Sequence, residues 1–256
     1  MRRWLGAAAA VVVLAAGCGS SQRILEGAAP PASTTTSTST STTTTVPPCP
    51  QPSVAAGQTV TQLATPLSTT AAYSAAPGGP AVGHLKERWG GPSTRPVVDV
   101  QNGWVEVRLN TRPNGSMAWL PPSSVTLSTT PYRIVISVCQ RSLTLFQGGT
   151  AVYSSPVGVG QPQWPTPVGP TFVDAIVNTP RYQQYIYGPT VLIMGAHSDV
   201  FTEFDGGDGT VAIHGYPSDP ASTRGVASSH GCVRSSPDTI NAIKAVPVGT
   251  PIDVIA

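Results

Sequence analysis

A short run near the C-terminal end of the chain, Ser229-His230-Gly231-Cys232, contains residue types that together could transfer an acyl group. A cysteine is an effective nucleophile when a neighbouring base or cation favours its thiolate. The candidate bases are His230 and His214, which lies on a predicted strand that could adjoin the cysteine. Gly231 has no side chain, so a substrate carbonyl could reach the backbone N–H groups of residues 231 and 232, which would stabilise an oxyanion.

Other chemistry is open to the same residues. Arg234 follows Cys232 by two positions and could bind a substrate carboxylate. His214, His230 and Cys232 could instead be three ligands of a zinc ion. A lone cysteine can also be purely structural. The residues alone therefore leave a nucleophile, a zinc ligand and a structural residue as roles for Cys232.

The segments that must position these residues are mainly β-strands. The 26 glycines and 27 prolines among 256 residues favour turns and strands over long helices. One helix is predicted at 237–245, because Ser236 is a suitable N-cap and Pro237 suits the first helical position. Apolar and β-branched runs predict strands over 132–138, 142–146, 151–154, 171–175, 191–194, 210–214 and 251–255.

An earlier region, 51–128, has strand patterns of its own. Asn102-Gly103 lies between alternating stretches and is a strong hairpin signal. Along 104–109, polar or aromatic residues alternate with Val and Leu, so one face of this strand should be buried and the other solvated. The region resembles a small SH3-like β-barrel of bacterial proteins, in which Trp104 and Trp119 would either bind wall components or fill a small core.

The first residues have the features of a secretion signal. Two arginines precede an apolar run at 5–16 that is too short to span a bilayer comfortably. The following Ala-Ala-Gly-Cys18 resembles the lipobox of bacterial lipoproteins, although Leu14 lies one position too early. The alternative is an ordinary secretory peptide cut near Gly17. In both cases 1–17 is removed and the protein works outside the cytoplasm, and a lipid on Cys18 would anchor it to the membrane, facing the cell wall.

The segment at 28–48 is built almost entirely of Thr, Ser, Ala and Pro. It has almost no apolar side chains to bury, so it cannot offset the entropy lost on ordering. We therefore expect a disordered tether over 18–50, which would extend the folded region from a membrane into a wall.

The four cysteines can be assigned to different roles. Of the four in the chain, Cys49 and Cys139 remain if Cys18 is lipidated and Cys232 is a nucleophile. In an oxidising compartment two remaining thiols suggest a disulfide, and two free thiols are the alternative.

The region 131–256 resembles the catalytic domain of the L,D-transpeptidases, the YkuD-type fold. The family signature is a histidine in a strand, a gap, and then Ser/Thr-His-Gly-Cys, a hydrophobic residue and Arg or Asn. This chain has Ile213-His214-Gly215-Tyr216, and then Ser229-His230-Gly231-Cys232-Val233-Arg234. A second motif is present at 166–172 with one extra residue before the Phe. Pro237 departs from the family, where many members have Asn, and we expect changed helix capping there rather than lost chemistry.

The resemblance implies a β-sandwich with a short helix, preceded by the SH3-like barrel. By position, Cys232 is the nucleophile and His214 the general base. The carbonyl of Gly215 would orient the imidazole as the third member of the triad. His230, Gly231 and Cys232 would shape the pocket, with the two backbone N–H groups as oxyanion donors.

The resemblance also implies residues that contact or cover the substrate. Ser229, Arg234, Tyr216 and Met194 are the expected substrate-binding residues. A lid is expected over 178–209, with His197 as a lid or packing residue. Its other candidate residues are Tyr182, Tyr185, Tyr187 and Asp199.

The implied function is the formation of 3→3 cross-links between peptidoglycan stem peptides through a thioester on Cys232. No metal or cofactor is required, and carbapenem-type inhibitors should acylate the cysteine. The net charge of +2 gives no indication of a nucleic-acid partner. One alternative is an L,D-carboxypeptidase with water as the acceptor, and another is a wall-binding lipoprotein without enzyme activity.

Overall fold

Two large β-sheets account for most of the structure, a computed structural model that describes residues 48–85, 89–90 and 94–256. The predicted signal peptide at 1–17, Cys18 and all but the last three residues of the 18–50 tether lie outside the described residues. No helix within the described ranges is long and apolar enough to cross a membrane. The mainly β class predicted from the sequence is confirmed.

The first sheet forms a small domain with its own core. Its strands are β1 (Thr61–Pro66), β2 (Ala72–Ser74), β3 (Ala81–His84), β4 (Arg95–Gln101), β5 (Trp104–Arg108), β6 (Met117–Leu120) and β7 (Val125–Thr130). They are ordered β3-β2-β6-β5-β4-β1-β7. Neighbouring strands are antiparallel, as short connections allow.

The predicted hairpin joins β4 to β5. Asn102 and Gly103 both have positive φ, 52° and 82°, which suits a tight turn between twisted strands. Val105, Val107 and Leu109 are buried as the alternation predicts. Trp119 is only 6% exposed and offers little surface to a ligand, although it lies outside the cluster that contains Ala118 and Leu120.

The second sheet contains the region with the candidate chemistry. Its strands are β8 (Tyr132–Ser137), β9 (Ser142–Gln147), β10 (Thr150–Pro156), β12 (Gly169–Asn178), β13 (Thr190–His197), β14 (Thr210–Gly215), β16 (Val233–Ser235) and β17 (Pro251–Ile255). They are ordered β10-β9-β8-β17-β12-β13-β14-β16. A two-stranded sheet adds β11 (Val159–Gly160) and β15 (Ala227–Ser229). All seven strands predicted in this region are present.

The main core lies against one face of this sheet. It joins residues of β8, β9, β13, β14 and β17 with the helix α2 (Pro237–Ile243), which buries Ile240 and Ile243. Ser236 caps this helix by accepting a hydrogen bond from the N–H of Thr239 at 3.2 Å. The helix ends two residues before the predicted boundary. A second, four-residue helix, α1 (Gln184–Tyr187), has no clear pattern in the sequence.

A buried charge lies where the two sheets meet. The guanidinium of Arg95, at the start of β4, is fully buried and donates to Asn110 Oδ1 at 3.1 Å. Asn110 in turn donates to Asp174 of β12 at 2.9 Å. Burial lowers the pKa of Arg95, while the nearby carboxylate of Asp174 raises it. The first domain is therefore attached to the second by a compensated buried charge.

The disulfide suggested by the sequence is present. Cys49 is bonded to Cys139, with 5.6 Å between their Cα atoms. Cys139 lies in the turn between β8 and β9, and the neighbouring Gln140 donates to the carbonyl of Pro50 at 3.2 Å. The bond therefore attaches the start of the described chain to the second domain.

Replacing Cys139 with serine is expected to lower the free energy of unfolding by about 3–5 kcal/mol, because the bond closes a span of 90 residues. Urea unfolding of the oxidised wild type and of the variant measures the loss. Cys49→Ser should give the same loss, and the double variant no more than either single one. Additive losses would show that the two thiols act separately.

Candidate active site

The candidate nucleophile lies at the edge of the second sheet. Cys232 directly precedes β16, which pairs in parallel with β14 so that Ile213 is opposite Val233 and His214 is opposite Arg234. Side chains alternate along a strand, and paired residues point to the same face. Ile213 and Val233 are fully buried in the main core. His214, Arg234 and Cys232 therefore project from the opposite face, beside one another.

The side chains on this face line a cavity of about 490 Å³. That volume is in the range of small-ligand sites in proteins. Six residues predicted as site residues are on its wall, namely His214, Tyr216, Ser229, His230, Cys232 and Arg234.

The backbone orients the imidazole of His214. Its Nδ1 is hydrogen-bonded to the carbonyl oxygen of Gly215. A carbonyl oxygen can only accept, so Nδ1 carries the hydrogen and Nε2 keeps its lone pair. The edge-to-face ring of Tyr187, with centroids 5.1 Å apart, packs against the imidazole. The ring is therefore held in the tautomer that a general base needs.

Burial keeps this imidazole neutral. His214 is 3% exposed, and its desolvation lowers its pKa from 6.5 to about 4. The hydrogen bond to Gly215 raises the pKa and the charge of Arg234 lowers it, but both effects are smaller than that of burial. At neutral pH the residue can accept a proton and carries no charge.

The pKa of His214 makes stability depend on pH. Between pH 6.5 and about 4 the unfolded state binds a proton that the folded state does not. The stabilisation is complete above pH 6.5 and is lost as the pH falls, by about 3 kcal/mol in total. Urea unfolding at about pH 7 and about pH 4.5 measures the loss, and His214→Gln should be less sensitive to pH. Equal pH sensitivity in the two proteins would contradict this assignment.

The thiol of Cys232 is also neutral in the resting site. It is half-buried against Ala212, Val191 and Ile193, and desolvation raises its pKa above the ordinary value. A backbone hydrogen bond from Ala212 and the charge of Arg234 oppose the shift. The site thus holds a thiol beside a neutral imidazole rather than a thiolate–imidazolium pair.

Ser229 holds the turn that carries the cysteine. Its Oγ accepts a hydrogen bond from the N–H of Gly231 at 3.1 Å and donates to the carbonyl of Cys232 at 2.5 Å. The serine is 1% exposed, so it supports the site rather than offering its hydroxyl to a substrate. These bonds also correct the expected oxyanion hole, because the N–H of Gly231 is already used inside the turn.

A second hydroxyl fixes the other side of the same turn. Thr166 donates to the carbonyl of Gly231 at 2.9 Å and accepts from the N–H of Gly160 at 2.9 Å. Gly231 has a φ of +122°, which a residue with a side chain rarely adopts. The second sequence motif, at 166–172, therefore contributes directly to the conformation of the cysteine turn.

Arg234 supplies the positive charge of the cavity. Its guanidinium stacks 4.0 Å from the ring centre of Tyr216 and donates to the carbonyl of Ser228 at 3.1 Å. The stacked ring and the carbonyl fix the direction of the guanidinium, which lies on the cavity wall beside Cys232. This geometry suits the binding of a carboxylate.

His230 lies at the mouth of the cavity in an aromatic group. Its ring centre is 4.2 Å from that of Trp164 and 5.4 Å from that of Phe204. Phe201 completes the group at 6.0 Å from both Trp164 and His230. His230 is exposed, so its place is that of a pocket wall and His214 remains the base.

Met194 does not line the cavity, and the prediction that it binds substrate is wrong. Leu192 and Met194 point into the main core, where Met194 is 1% exposed. Val191 and Ile193, on the other face of β13, line the cavity instead. Because this central strand is apolar on both faces, its composition does not reveal which face meets the substrate.

The segment predicted as a lid, 178–209, is divided by the core strand β13. Two separate parts line the cavity, one before the strand with Tyr187 and one after it with Phe204. Tyr182 and Tyr185 are exposed and do not line the cavity.

The two remaining lid candidates lie at or just after the end of β13. His197 is buried, as expected for a packing residue, and its Nε2 is 3.1 Å from Asp208 Oδ2. Asp199 accepts a hydrogen bond from Asn114 of the first domain at 3.0 Å.

Several residues that line the cavity were not predicted from the sequence. Ala212 lies two positions before His214 on β14, so strand alternation could have identified it. Trp89 comes from the first domain, and nothing local in the sequence indicates that it reaches the cavity. Within the described ranges, no group of three or more His, Cys, Asp or Glu side chains is arranged to hold a metal ion.

Comparison with known families gives one match, and it lies in the second domain. The family model of the YkuD L,D-transpeptidase catalytic domain matches residues 131–254. No curated protein matches the chain.

Solved structures with similarity to the chain include several L,D-transpeptidases. One from Mycobacterium smegmatis is 22% identical, with 64% of this chain and 89% of that chain covered and a TM-score of 0.39. L,D-transpeptidase 3 from Mycobacterium tuberculosis is 17% identical over 57% and 77% of the two chains, with a TM-score of 0.41. A third L,D-transpeptidase, in complex with imipenem, is 21% identical over 77% and 83%, also with a TM-score of 0.41.

The family match covers both halves of the candidate site, since His214 and Cys232 lie inside it. The resemblance stated for 131–256 is thereby confirmed over nearly its whole length. Residues 131–254 of this chain match the model of the YkuD family of L,D-transpeptidase catalytic domains, over slightly less than half of the chain.

Proposed function

We propose that this protein forms 3→3 cross-links between peptidoglycan stem peptides through an acyl-enzyme on Cys232. The observation that carries the proposal is the placement of the Cys232 thiol beside a neutral, oriented His214 on one cavity wall. The match of residues 131–254 to the L,D-transpeptidase family model supports it.

In the first step the thiol attacks a carbonyl of the donor stem. Nε2 of His214 takes the thiol proton as the sulfur bonds to the carbonyl carbon of the diamino acid at the third position. The negative oxygen that forms would accept a hydrogen bond from the N–H of Cys232. The carbon–nitrogen bond to the terminal D-Ala then breaks, and the proton on His214 leaves with the amine.

In the second step an amine replaces the thiol. The side-chain amine of another stem attacks the thioester and passes a proton to His214, and the sulfur leaves as a thiol after taking that proton back. Arg234, fixed by Tyr216 and Ser228, is suited to hold a carboxylate of a stem during both steps. The neutral resting pair makes proton transfer to His214 part of the attack itself.

Incubation of the purified protein with a disaccharide-tetrapeptide, followed by mass spectrometry, tests the proposal. The expected products are an acyl-enzyme that has lost D-Ala and a cross-linked dimer. Trimmed stems without dimers would assign the site to an L,D-carboxypeptidase with water as the acceptor. Unchanged substrate without an acyl-enzyme would leave the wall-binding alternative.

The location of the protein is part of the same proposal. Such an enzyme meets its substrate outside the cytoplasm, and the signal at 1–17 with a lipid on Cys18 would hold it on the membrane facing the wall. Labelling with a lipid precursor in the wild type and in Cys18→Ala tests the anchor, and equal labelling of the two would overturn it. Carbapenem-type inhibitors are expected to acylate Cys232, as the imipenem complex of a similar enzyme suggests.

A further inference from the structure

One wall of the active-site cavity is a loop between β13 and β14, residues 198–209. Its backbone and side chains face the cavity at Phe204, Asp205, Gly207, Asp208 and Gly209. The position of this loop therefore affects the space beside Cys232 in which a stem peptide would bind.

The loop is closed at its base and is shaped by hydrogen bonds at its two ends and its tip. The N–H of Ser198 donates to the carbonyl of Gly209 at 2.8 Å. Ser198 Oγ accepts from the N–H groups of Val200 at 3.2 Å and Phe201 at 3.0 Å. Phe204 forms a tight turn with Gly207, with N–O distances of 2.8 Å and 2.9 Å. These bonds shape each end and the tip, and His197 Nε2, 3.1 Å from Asp208 Oδ2, links the start of the loop to its far side.

Arg112 of the first domain adds three further bonds across the loop. Its Nη1 donates to the carbonyl of Ser198 at 2.7 Å. Its Nη2 donates to the carbonyls of Phe201 at 2.7 Å and Asp208 at 3.0 Å. One planar guanidinium thus binds both sides of the loop, which a single flexible ammonium could not reproduce.

Asn114 holds the strand end from which the loop starts. Its Oδ1 accepts from the N–H of His197 at 2.8 Å, and its Nδ2 donates to the carbonyl of the same residue at 2.7 Å. The same Nδ2 also lies 3.0 Å from Asp199 Oδ1. The amide thereby occupies the place of a further strand beside His197.

Gly209 of the loop leaves space for the guanidinium of Arg112 because it has no side chain. A Cβ on Gly209 would lie 3.0 Å from Nη2 of Arg112 and 2.3 Å from the carbonyl oxygen of Phe201. Gly209 also has a φ of +75°, which disfavours a side chain. Loop and guanidinium therefore fit each other at this position.

We propose that Arg112 and Asn114 are positioning residues, through which the first domain holds the 198–209 loop in place as a wall of the stem-peptide site. The proposal rests on the proposed function for its substrate. In this role the first domain contributes to acylation, independently of any binding of that domain to the cell wall. Neither residue touches the reacting atoms, and both act through the loop.

The proposal is tested by kinetics on Arg112→Ala and Arg112→Lys. In Arg112→Ala, kcat/KM for the disaccharide-tetrapeptide should fall by about 10- to 100-fold. Most of the fall should be a rise in KM, because the 198–209 loop that contacts the stem peptide is displaced. Alkylation of Cys232 by iodoacetamide, which needs no loop contact, should change by less than about twofold. Arg112→Lys should be only partly active because one ammonium cannot reach all three carbonyls.

Hydrogen exchange separates this proposal from the proposed function. Amides of the 198–209 loop should exchange at least about tenfold faster in Arg112→Ala than in the wild type, with β8 and β9 unchanged. If Arg112→Ala does not fold, Asn114→Ala takes its place. The amides of residues 197–201 should then exchange faster than in the wild type. Arg141→Ala is the control, since this arginine lies in the β8–β9 turn and donates to the carbonyl of Gly225 at 3.4 Å, outside the 198–209 loop.

The outcomes are distinct. If the wild type does not react with the tetrapeptide but the loop exchanges faster in Arg112→Ala, the proposed function fails and the positioning role stands. If loop exchange and KM in Arg112→Ala match those of Arg141→Ala, the positioning role is overturned. An equal fall in iodoacetamide and tetrapeptide reactivity would also overturn it, because the effect would then lie in the thiol and not in the loop.

Discussion

Cys232→Ala is expected to form no covalent adduct with a tetrapeptide stem or with a carbapenem. Both reactions require a nucleophile at this point of the cavity wall, and alanine has none. The substitution removes one sulfur atom from a half-buried site, so the fold should persist. Substrate binding without reaction is then the expected behaviour.

Intact-mass measurement after incubation with a carbapenem checks this prediction. The wild type should gain an adduct at Cys232, which is the free cysteine of the described residues because Cys49 and Cys139 are bonded to each other. Peptide mapping locates the modified residue, and circular dichroism shows whether the variant has the same strand content. An adduct on folded Cys232→Ala would refute the assignment of the nucleophile.

His214→Gln is expected to slow acylation by about 10²- to 10⁴-fold near neutral pH. The thiol has a raised pKa, so little thiolate is present and the reaction depends on proton transfer to the imidazole. Glutamine has a similar length but no basic nitrogen. His84→Gln, an exposed histidine on β3, is the control and should react like the wild type.

The pH dependence of the acylation rate is a second test of His214 as the general base. In the wild type, acylation should be nearly independent of pH above about 5, because His214 is neutral above its pKa of about 4. In His214→Gln the rate should rise about tenfold per pH unit until the thiol ionises, since only the thiolate then reacts. A wild-type rate that follows an ionisation near pH 6.5 would instead indicate a thiolate–imidazolium pair.

Local patterns predicted much of the fold and the place of the candidate site. The Ser-His-Gly-Cys run located the candidate nucleophile, and strand alternation identified the buried face of β5. The cap at Ser236 identified the start of α2, because its chemistry involves residues only three apart. These features depend on neighbours in sequence, where spacing is informative.

The residues that were missed or misplaced depend on contacts between distant segments. Met194 lies on a strand buried on both faces, so no pattern separates it from Ile193. The N–H of Gly231 was assigned to the oxyanion, but its partner is the hydroxyl of Ser229 two residues before it. Trp89 lines the cavity and Arg112 binds the 198–209 loop because the first domain packs there, and their surrounding sequence carries no sign of it.

The disulfide determines how mechanical load would pass through the molecule. A force that pulls on the chain ahead of Cys49 reaches Cys139 through a covalent bond and enters the β8–β9 turn directly. The first domain lies between the two cysteines in sequence and is therefore bypassed. A load applied there would therefore act on the second domain before it reached the first.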